Sequence, residues 1–292
     1  MLRADTHFHT NFAFISKRLI ERRAKKFWEQ FEKYDLDVVV LTEHAFKSPA
    51  SSYKYLMKHR PDNATTHVVP GVEAVTKEGI DVIVFSKDEH IYEQKDVLTP
   101  YGLTVRELAD RVKEDDRLHA VVTHPFMMSD TAITLHYKED YIKDLAKELG
   151  ILEKHNAALV PLRSFLSKIK ANKLLGPVYK RMERIEDAPN EFVEGDVCIF
   201  GGSDAHYPRD IGPHVKIHAE GNTFDEIFER LVDPSHKREF DSESDHLSLV
   251  PYVILNGLTT LFETIKKRTR LFYLTTVDST FKKPKNKISY EK

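Results

Sequence analysis

Short apolar runs rich in valine and isoleucine alternate along the chain with longer segments in which apolar residues recur at helical spacing. Most of these runs are apolar throughout, which is the pattern of strands buried on both faces of a parallel sheet. The predicted strands are residues 2–8, 37–42, 67–75, 80–86, 120–123, 157–162, 197–201 and 215–219. The predicted helices are residues 16–34, 104–114, 139–155, 163–185 and 223–232.

This alternation of strands and helices predicts an α/β protein, a distorted (β/α)7 TIM-like barrel over residues 1–234 with a C-terminal helical extension. An open, doubly wound sheet is the alternative. The first predicted strand is not followed by the glycine-rich turn of dinucleotide-binding proteins, which disfavours that version of the open sheet.

Residues 235–292 differ from the rest of the chain in composition. A polar linker over 235–246 precedes an apolar segment, 247–262, which is predicted to be helical and is too short to span a bilayer. Residues 246–292 contain nine Lys or Arg against three Asp or Glu. This basic tail and the apolar helix either pack on the barrel or dock a partner or a membrane surface.

The composition is that of a soluble globular protein, with 41% hydrophobic and 31% charged residues among 292. A net charge of −2 gives the whole chain no general attraction for nucleic acid or membranes. With Cys198 as the single cysteine and no apolar leader after Met1, we expect a cytoplasmic protein without disulfides.

The fifteen histidines are not evenly spread, because several fall where apolar runs end. His7 and His9, two residues apart on one strand, point to the same side. The other strand-end groups are Glu43-His44, Glu73, His124-Pro125 and Asp204-Ala-His206. Carboxyl ends of parallel barrel strands meet at one face, and buried charges there need partners or metals. The pattern therefore predicts a shared metal site.

These motifs, in this order and near these separations, resemble those of the PHP (polymerase and histidinol phosphatase) family over about residues 1–215. The resemblance implies a distorted seven-stranded barrel that binds two or three Mn, Zn or Fe ions and hydrolyses phosphoesters. Its implied metal ligands are His7, His9, His44, Glu73, His124, Asp204 and His206, with Glu73 bridging two ions. Family members often carry a further Asp or His soon after His-x-His, and residues 11–16 contain neither.

The sequence leaves several neighbouring roles open. Asp81 and His90 are alternative additional ligands for the second ion. Asp5 and Glu43 are candidates to support the ligand histidines from behind, as carboxylates do in metal sites, although Glu43 is equally well explained as a surface residue. Arg209 and Arg163 are candidates to bind the phosphate.

The predicted reaction is hydrolysis of a phosphomonoester or nucleotide by a metal-activated hydroxide, with no protein nucleophile. A nuclease acting on DNA or RNA ends is the alternative, and basic residues within 163–195 suit a nucleic-acid backbone as well as a solvated helix face. Two other classes are a non-catalytic metal-binding scaffold and an amidohydrolase on a related barrel, which also begins with His-x-His.

Overall fold

The computed structural model describes residues 1–240 and 250–254, apart from residues 14, 128, 130, 171–172, 174, 189, 191–195, 213–214 and 252. Most of the predicted apolar helix over 247–262, and all of the basic tail after it, lie outside the described residues. Within the described ranges no helix combines the length and apolar character needed to cross a membrane.

Strands and helices alternate over most of the described chain. The strands are β1 Leu2–Phe8, β2 Val38–Leu41, β3 His67–Val75, β4 Asp81–Ser86, β5 Leu118–Val122, β6 Ile151–Asn156, β7 Cys198–Gly202, β8 Val215–Ile217 and β9 Arg238–Phe240. The helices are α1 Lys17–Lys33, α2 Pro49–Lys58, α3 Lys95–Leu98, α4 Val105–Lys113, α5 Glu139–Leu149, α6 Val160–Lys168, α7 Gly176–Glu186 and α8 Phe224–Val232. The mixed α/β class predicted from the sequence is confirmed.

The nine described strands form one sheet in the order β7-β6-β5-β4-β3-β2-β1-β8-β9. β1 pairs with β2 on one side and with β8 on the other, where Leu2, Arg3 and Ala4 are the described residues that pair. Beyond Ala4, β1 contacts β7, from the far end of the sheet: Thr6 Oγ1 donates to the Gly201 carbonyl at 3.0 Å, and the Asp204 amide donates to the His7 carbonyl at 2.8 Å. The sheet is therefore a nearly closed, barrel-like structure.

β4 breaks the regular repeat, because it runs antiparallel to both β3 and β5. The sequence analysis treated it as one more parallel strand. The connection from β3 to β4 is the turn 76–80, with Gly79 at φ 91°. A parallel crossover needs a dozen or more residues, so this turn can only build a hairpin. The alternation of strand and helix is interrupted there.

The sixth strand was placed wrongly by the sequence analysis. Residues 157–162 were predicted as a strand, and the helix before them was predicted to run to residue 155. Instead, α5 ends at Leu149 and is followed by Gly150, whose φ of 77° is the left-handed conformation that terminates helices. β6 follows at once, and Pro161, which cannot donate to a sheet ladder, lies in the first turn of α6.

Two further boundaries differ from the predictions. The helix predicted over 163–185 is divided into α6 and α7, with Lys170 between them at φ 58°. β9 pairs with β8, so the sheet includes residues 238–240, which the sequence analysis assigned to the linker. The division at residue 234 otherwise stays a prediction.

α1 holds the first two strands in place from outside. Ser16 caps it by accepting a hydrogen bond from the Leu19 amide at 3.4 Å. Phe27 and Phe31, one helical turn apart, are fully buried and pack against Phe8 of β1 in tilted and edge-on contacts, with ring centroids 5.6 and 5.5 Å away. Burying each ring contributes about 1.5–3 kcal/mol, which fixes the strand that carries His7.

Candidate metal centre

Residues from six strands, or from the segments that follow them, meet at one end of the sheet. β1, β2, β3, β5 and β7 end there. Because β4 is reversed, it begins there, and its first residue, Asp81, pairs with Val75 at the end of β3. The eight side chains brought together are His7, His9, His44, Glu73, Asp81, His124, Asp204 and His206. All seven predicted ligands and one of the two alternative ligands are in this group.

The first cluster of ligand atoms joins β1 and the loop after β7. His7 Nε2 and His9 Nε2 lie 3.1 Å apart, and Asp204 Oδ1 lies 3.7 Å and 3.3 Å from them. Glu73 Oε1 is 3.6 Å from His7 Nε2. The side chains of His7 and His9 are fully buried, whereas that of Asp204 is 12% exposed.

Glu73 connects the first cluster with two further groups. Its Oε1 lies 3.0 Å from His124 Nε2, and its Oε2 lies 2.6 Å from His44 Nδ1. Glu73, Asp81 and His124 form the second cluster, in which one ligand atom from each residue lies within 4.8 Å of the others. A carboxylate whose two oxygens face different imidazoles has the arrangement of a bridging ligand.

Three imidazoles form the third cluster at the more open side of the site. The His9 ring centroid lies 4.3 Å from that of His44 and 4.4 Å from that of His206. The side chains of His44 and His206 are partly exposed, whereas that of His9 is buried. The mouth of the site therefore lies on the side of His44 and His206.

Backbone strain accompanies two of these side chains. His124 has φ 23° and Asp204 has φ 50°, in the region that residues with a Cβ rarely adopt. Each such residue costs about 1–3 kcal/mol and persists only when its surroundings hold it. The His124 amide donates to Glu153 Oε2 at 2.6 Å, and the Asp204 amide donates to the His7 carbonyl. These contacts hold both strained positions.

The carboxylates of the site favour protonation of two imidazoles. Burial opposes a charge on His7, but the carboxylates of Glu153 and Asp204 outweigh it and raise the pKa of His7 to about 10. Burial likewise opposes a charge on His124, whereas its hydrogen bond with Glu73 raises the pKa of His124 to about 9. The site thus attracts positive charge.

The histidines at the open side behave in the opposite way. Burial, followed by the nearby His44, holds the pKa of His9 well below its ordinary value. Burial, followed by His9, does the same to the pKa of His206. Neutral imidazoles with a free lone pair are the form that binds metals.

Two supporting residues on β6 were missed by the sequence analysis. Glu153 is almost fully buried, and its Oε1 lies 2.8 Å from His7 Nδ1. Asn156 donates to Glu153 Oε1 at 3.3 Å and to Asp204 Oδ2 at 3.4 Å. Two features of the sequence indicate this strand: Gly150, which is typical of a helix end, and the short apolar run Ile151-Leu152 that follows it.

The two carboxylates predicted behind the ligands have different positions. Asp5 Oδ1 accepts from the backbone amides of His7 and Ser203, so it joins the ends of β1 and β7, and burial raises the pKa of Asp5 to about 7. Glu43 is buried; it accepts from Thr10 Oγ1 at 2.8 Å, and its Oε1 lies 4.0 Å from His9 Nδ1. The surface alternative for Glu43 is wrong.

The remaining candidates are not in the three clusters. His90 Nε2 lies 2.7 Å from Asp115 Oδ2, so its partner is the carboxylate after α4. Arg163 pairs with Glu186 and lies over the Tyr179 ring, which ties α6 to α7. Arg209 is exposed in the turn after His206. Phosphate binding by either arginine stays a prediction.

Comparison with known proteins leaves the family open. No family model and no curated protein sequence matches the chain. The crystal structure of PsfC from Pseudomonas syringae aligns with 89% of this chain and 100% of PsfC, at a TM-score of 0.56 and 16% identity. Endonuclease Q, crystallised with a 27-mer duplex substrate that carries an abasic lesion, aligns with 82% of this chain and 58% of its own chain, at a TM-score of 0.49 and 16% identity. The likeness to PsfC shows a shared fold.

Proposed function

We propose that this chain is a metal-dependent phosphoesterase of the PHP type that hydrolyses a phosphomonoester at the clustered strand ends. The observation that carries the proposal is the convergence of eight imidazole and carboxylate side chains into three adjoining clusters. The strand-end motifs supply the resemblance to the PHP family. In this proposal the nearly closed sheet is the distorted TIM-like barrel of that family.

The three clusters suggest where ions bind. His7, His9 and Asp204, together with Glu73, would hold the first ion. Glu73, Asp81 and His124 would hold the second, with Glu73 as the bridge. His44 and His206 would hold the third, beside the His9 ring. Asp81 is preferred over His90 because its carboxylate lies with Glu73 and His124.

The residues present fit divalent cations. Imidazole nitrogens with carboxylate oxygens suit Mn, Zn and Fe. Buried carboxylates such as Glu73 and Glu153 are costly unless positive charge compensates them. A cation would compensate this negative charge and bind the Nε2 atoms of His7 and His9, which lie 3.1 Å apart.

The side chains around the ligands orient them. A pair of bound cations would lower the pKa of water toward roughly 7 and neutralise phosphoryl oxygens. Glu153 only accepts hydrogen bonds, so it keeps a proton on His7 Nδ1 and leaves the Nε2 lone pair facing the cluster. Asn156 fixes one oxygen of Asp204 and leaves the other to face His7 and His9.

Elemental analysis and a hydrolysis assay test the proposal. We expect two or three Mn, Zn or Fe ions per purified chain and metal-dependent hydrolysis of p-nitrophenyl phosphate. Asp204→Asn and His124→Ala should each lower kcat/KM by at least about 100-fold. The matched control is His218→Ala, because this imidazole lies on the surface beside Glu239. A metal-free protein, or variants that hydrolyse as well as the control, would overturn the proposal.

Parallel substrates separate the competing classes. Hydrolysis of bis(p-nitrophenyl) phosphate or of DNA ends, without hydrolysis of the monoester, would replace the phosphatase by a nuclease. Bound metal with no hydrolysis of phosphomonoesters, phosphodiesters or amides would favour the non-catalytic scaffold. Amide hydrolysis alone would favour the amidohydrolase.

A further inference from the structure

A cavity of about 290 Å³ lies between the segment after β1, the start of α1, the segment that leads into α2 and the first turns of α2 itself. Its size is at the lower end of small-molecule sites, which begin at roughly 300 Å³. Its walls combine aromatic rings with small hydroxyl side chains and one lysine: Phe12, Phe46, Lys47, Ser51, Ser52 and Tyr55. None of these residues belongs to the metal clusters described above.

The cavity adjoins the mouth of the candidate metal centre. Phe46 stacks on the His44 ring with a centroid distance of 5.0 Å and an angle of 9° between the planes. His44 is one of the partly exposed imidazoles, so a molecule bound there can extend past it towards Phe46. The wall of the cavity and the third metal cluster thus share one stacked pair of rings.

Lys47 adds a positive charge at this junction. Its side chain is 6% exposed, it lines the cavity, and its Nζ donates to Asn11 Oδ1 at 3.3 Å. The ammonium group therefore connects the segment after β1 with the wall of the cavity.

We propose that this cavity binds the organic part of the substrate, that this part carries a flat, uncharged aromatic ring, and that Lys47 binds an oxygen of the attached phosphoryl group. The inference rests on the proposed phosphoesterase function and names its substrate class. Phe12, Phe46 and Tyr55 offer ring faces and edges, the contacts that aromatic groups prefer. A substrate with a phosphoryl group next to an aromatic ring would place its negative charge near Lys47 and its ring against the aromatic walls of the cavity.

Two phosphomonoesters that differ in the ring test the first half of the inference. Benzyl phosphate and n-butyl phosphate release alcohols of similar acidity, so their chemistry is comparable. We expect the KM of benzyl phosphate to be about 3- to 10-fold lower. The second pair is adenosine monophosphate and ribose monophosphate. A lower KM for the aromatic ester in this pair alone would identify the ring as a nucleobase.

Two variants test the residues. Ser51→Phe adds a ring to the cavity wall from an exposed position of α2, and should abolish most of the preference for the aromatic ester. Ser235→Phe, which adds the same ring to an exposed turn before β9, is the control. Lys47→Met should raise the KM of the aromatic and aliphatic esters alike, by about tenfold or more, because both lose a charge-assisted hydrogen bond.

Calorimetric binding of benzyl phosphate, measured with and without EDTA, separates the inference from the proposed function. Weaker binding to Ser51→Phe than to Ser235→Phe supports the cavity even if no ester is hydrolysed, an outcome that would refute only the phosphoesterase. Equal KM values within both pairs of esters, or equal binding by the two Phe variants, would overturn the cavity. An unchanged KM in Lys47→Met would overturn the role of the lysine.

Discussion

Replacing Glu153 by Gln tests how the candidate centre is organised. Glu153 accepts on both oxygens, from His7 Nδ1 at 2.8 Å and from the His124 amide at 2.6 Å. A glutamine keeps the shape but can accept on only one side. If its amide nitrogen faces His7, Nδ1 loses its proton and Nε2 carries one into the cluster. If the nitrogen faces His124 instead, the amide group of the glutamine and the backbone amide of His124 are both donors, and no hydrogen bond forms between them.

The size of the effect follows from the loss of one buried hydrogen bond. Leaving a buried donor without its acceptor costs about 1–3 kcal/mol. Losing the partner of a ligand histidine lowers metal affinity or activity by about 10- to 100-fold, which corresponds to about 1.4–2.7 kcal/mol. The two ranges agree, so we expect Glu153→Gln to weaken metal binding by about 10- to 100-fold.

The measurement is competition for Mn or Zn against a chelating dye, with p-nitrophenyl phosphate hydrolysis at saturating metal as the second readout. Glu148→Gln is the matched control, because Glu148 pairs with Arg106 and Lys113 on the surface and not with a histidine. Circular dichroism establishes that both variants are folded. Metal affinity and activity in Glu153→Gln equal to those of the control would refute the argument that Glu153 sets the proton on His7.

Three further predictions concern stability. Free Mn at 100 times its Kd should raise the free energy of unfolding by about 2.7 kcal/mol per site, seen as a higher Tm that EDTA reverses; a Tm unaffected by metal contradicts this. Gly202→Ala should lower the free energy of unfolding by more than about 2 kcal/mol, because a Cβ there would lie 2.2 Å from His7 Cβ. Gly176→Ala is the control, because a Cβ there would meet nothing within 4 Å. Equal midpoints of urea unfolding for the two variants would disprove the clash. Burial lowers the pKa of His119 from 6.5, so the unfolded chain binds its proton more readily; its contribution to stability is present above pH 6.5 and is lost as the pH falls below it. His119→Phe should therefore lose less Tm than wild type between about pH 7.5 and about pH 5.5, and parallel losses would exclude this role.

The convergence of the seven predicted ligands could be predicted from the sequence because each of them follows or ends an apolar run. His7, His44, His124 and Asp204 lie at the ends of β1, β2, β5 and β7, and strand direction brings such ends together. Glu153 lacked this signal, since the run before it is only Ile151-Leu152 and continues a helical pattern. The left-handed Gly150 decides that boundary, and one glycine in a periodic segment is a weak indication.

The choice between Asp81 and His90 depended on a property that the apolar pattern does not encode. Both residues flank β4, one at each end. A parallel β4 would bring its carboxyl end, on the side of His90, to the site. The five-residue turn before Asp81 reverses the strand and brings its beginning there instead. The length of the connection between β3 and β4, rather than the apolar pattern of β4, therefore indicates which end of β4 lies at the site.

The proposed substrate cavity follows from the same geometry. His9 and Phe12 lie on the segment that leaves β1, and His44, Phe46 and Lys47 lie on the segment that leaves β2. Each segment thus carries a proposed metal ligand and, two or three residues later, a wall of the cavity. Because the strand fixes the ligand, the position of the ring or ammonium group is set relative to it. Relatives with longer segments here would keep the metal centre and bind a different organic group.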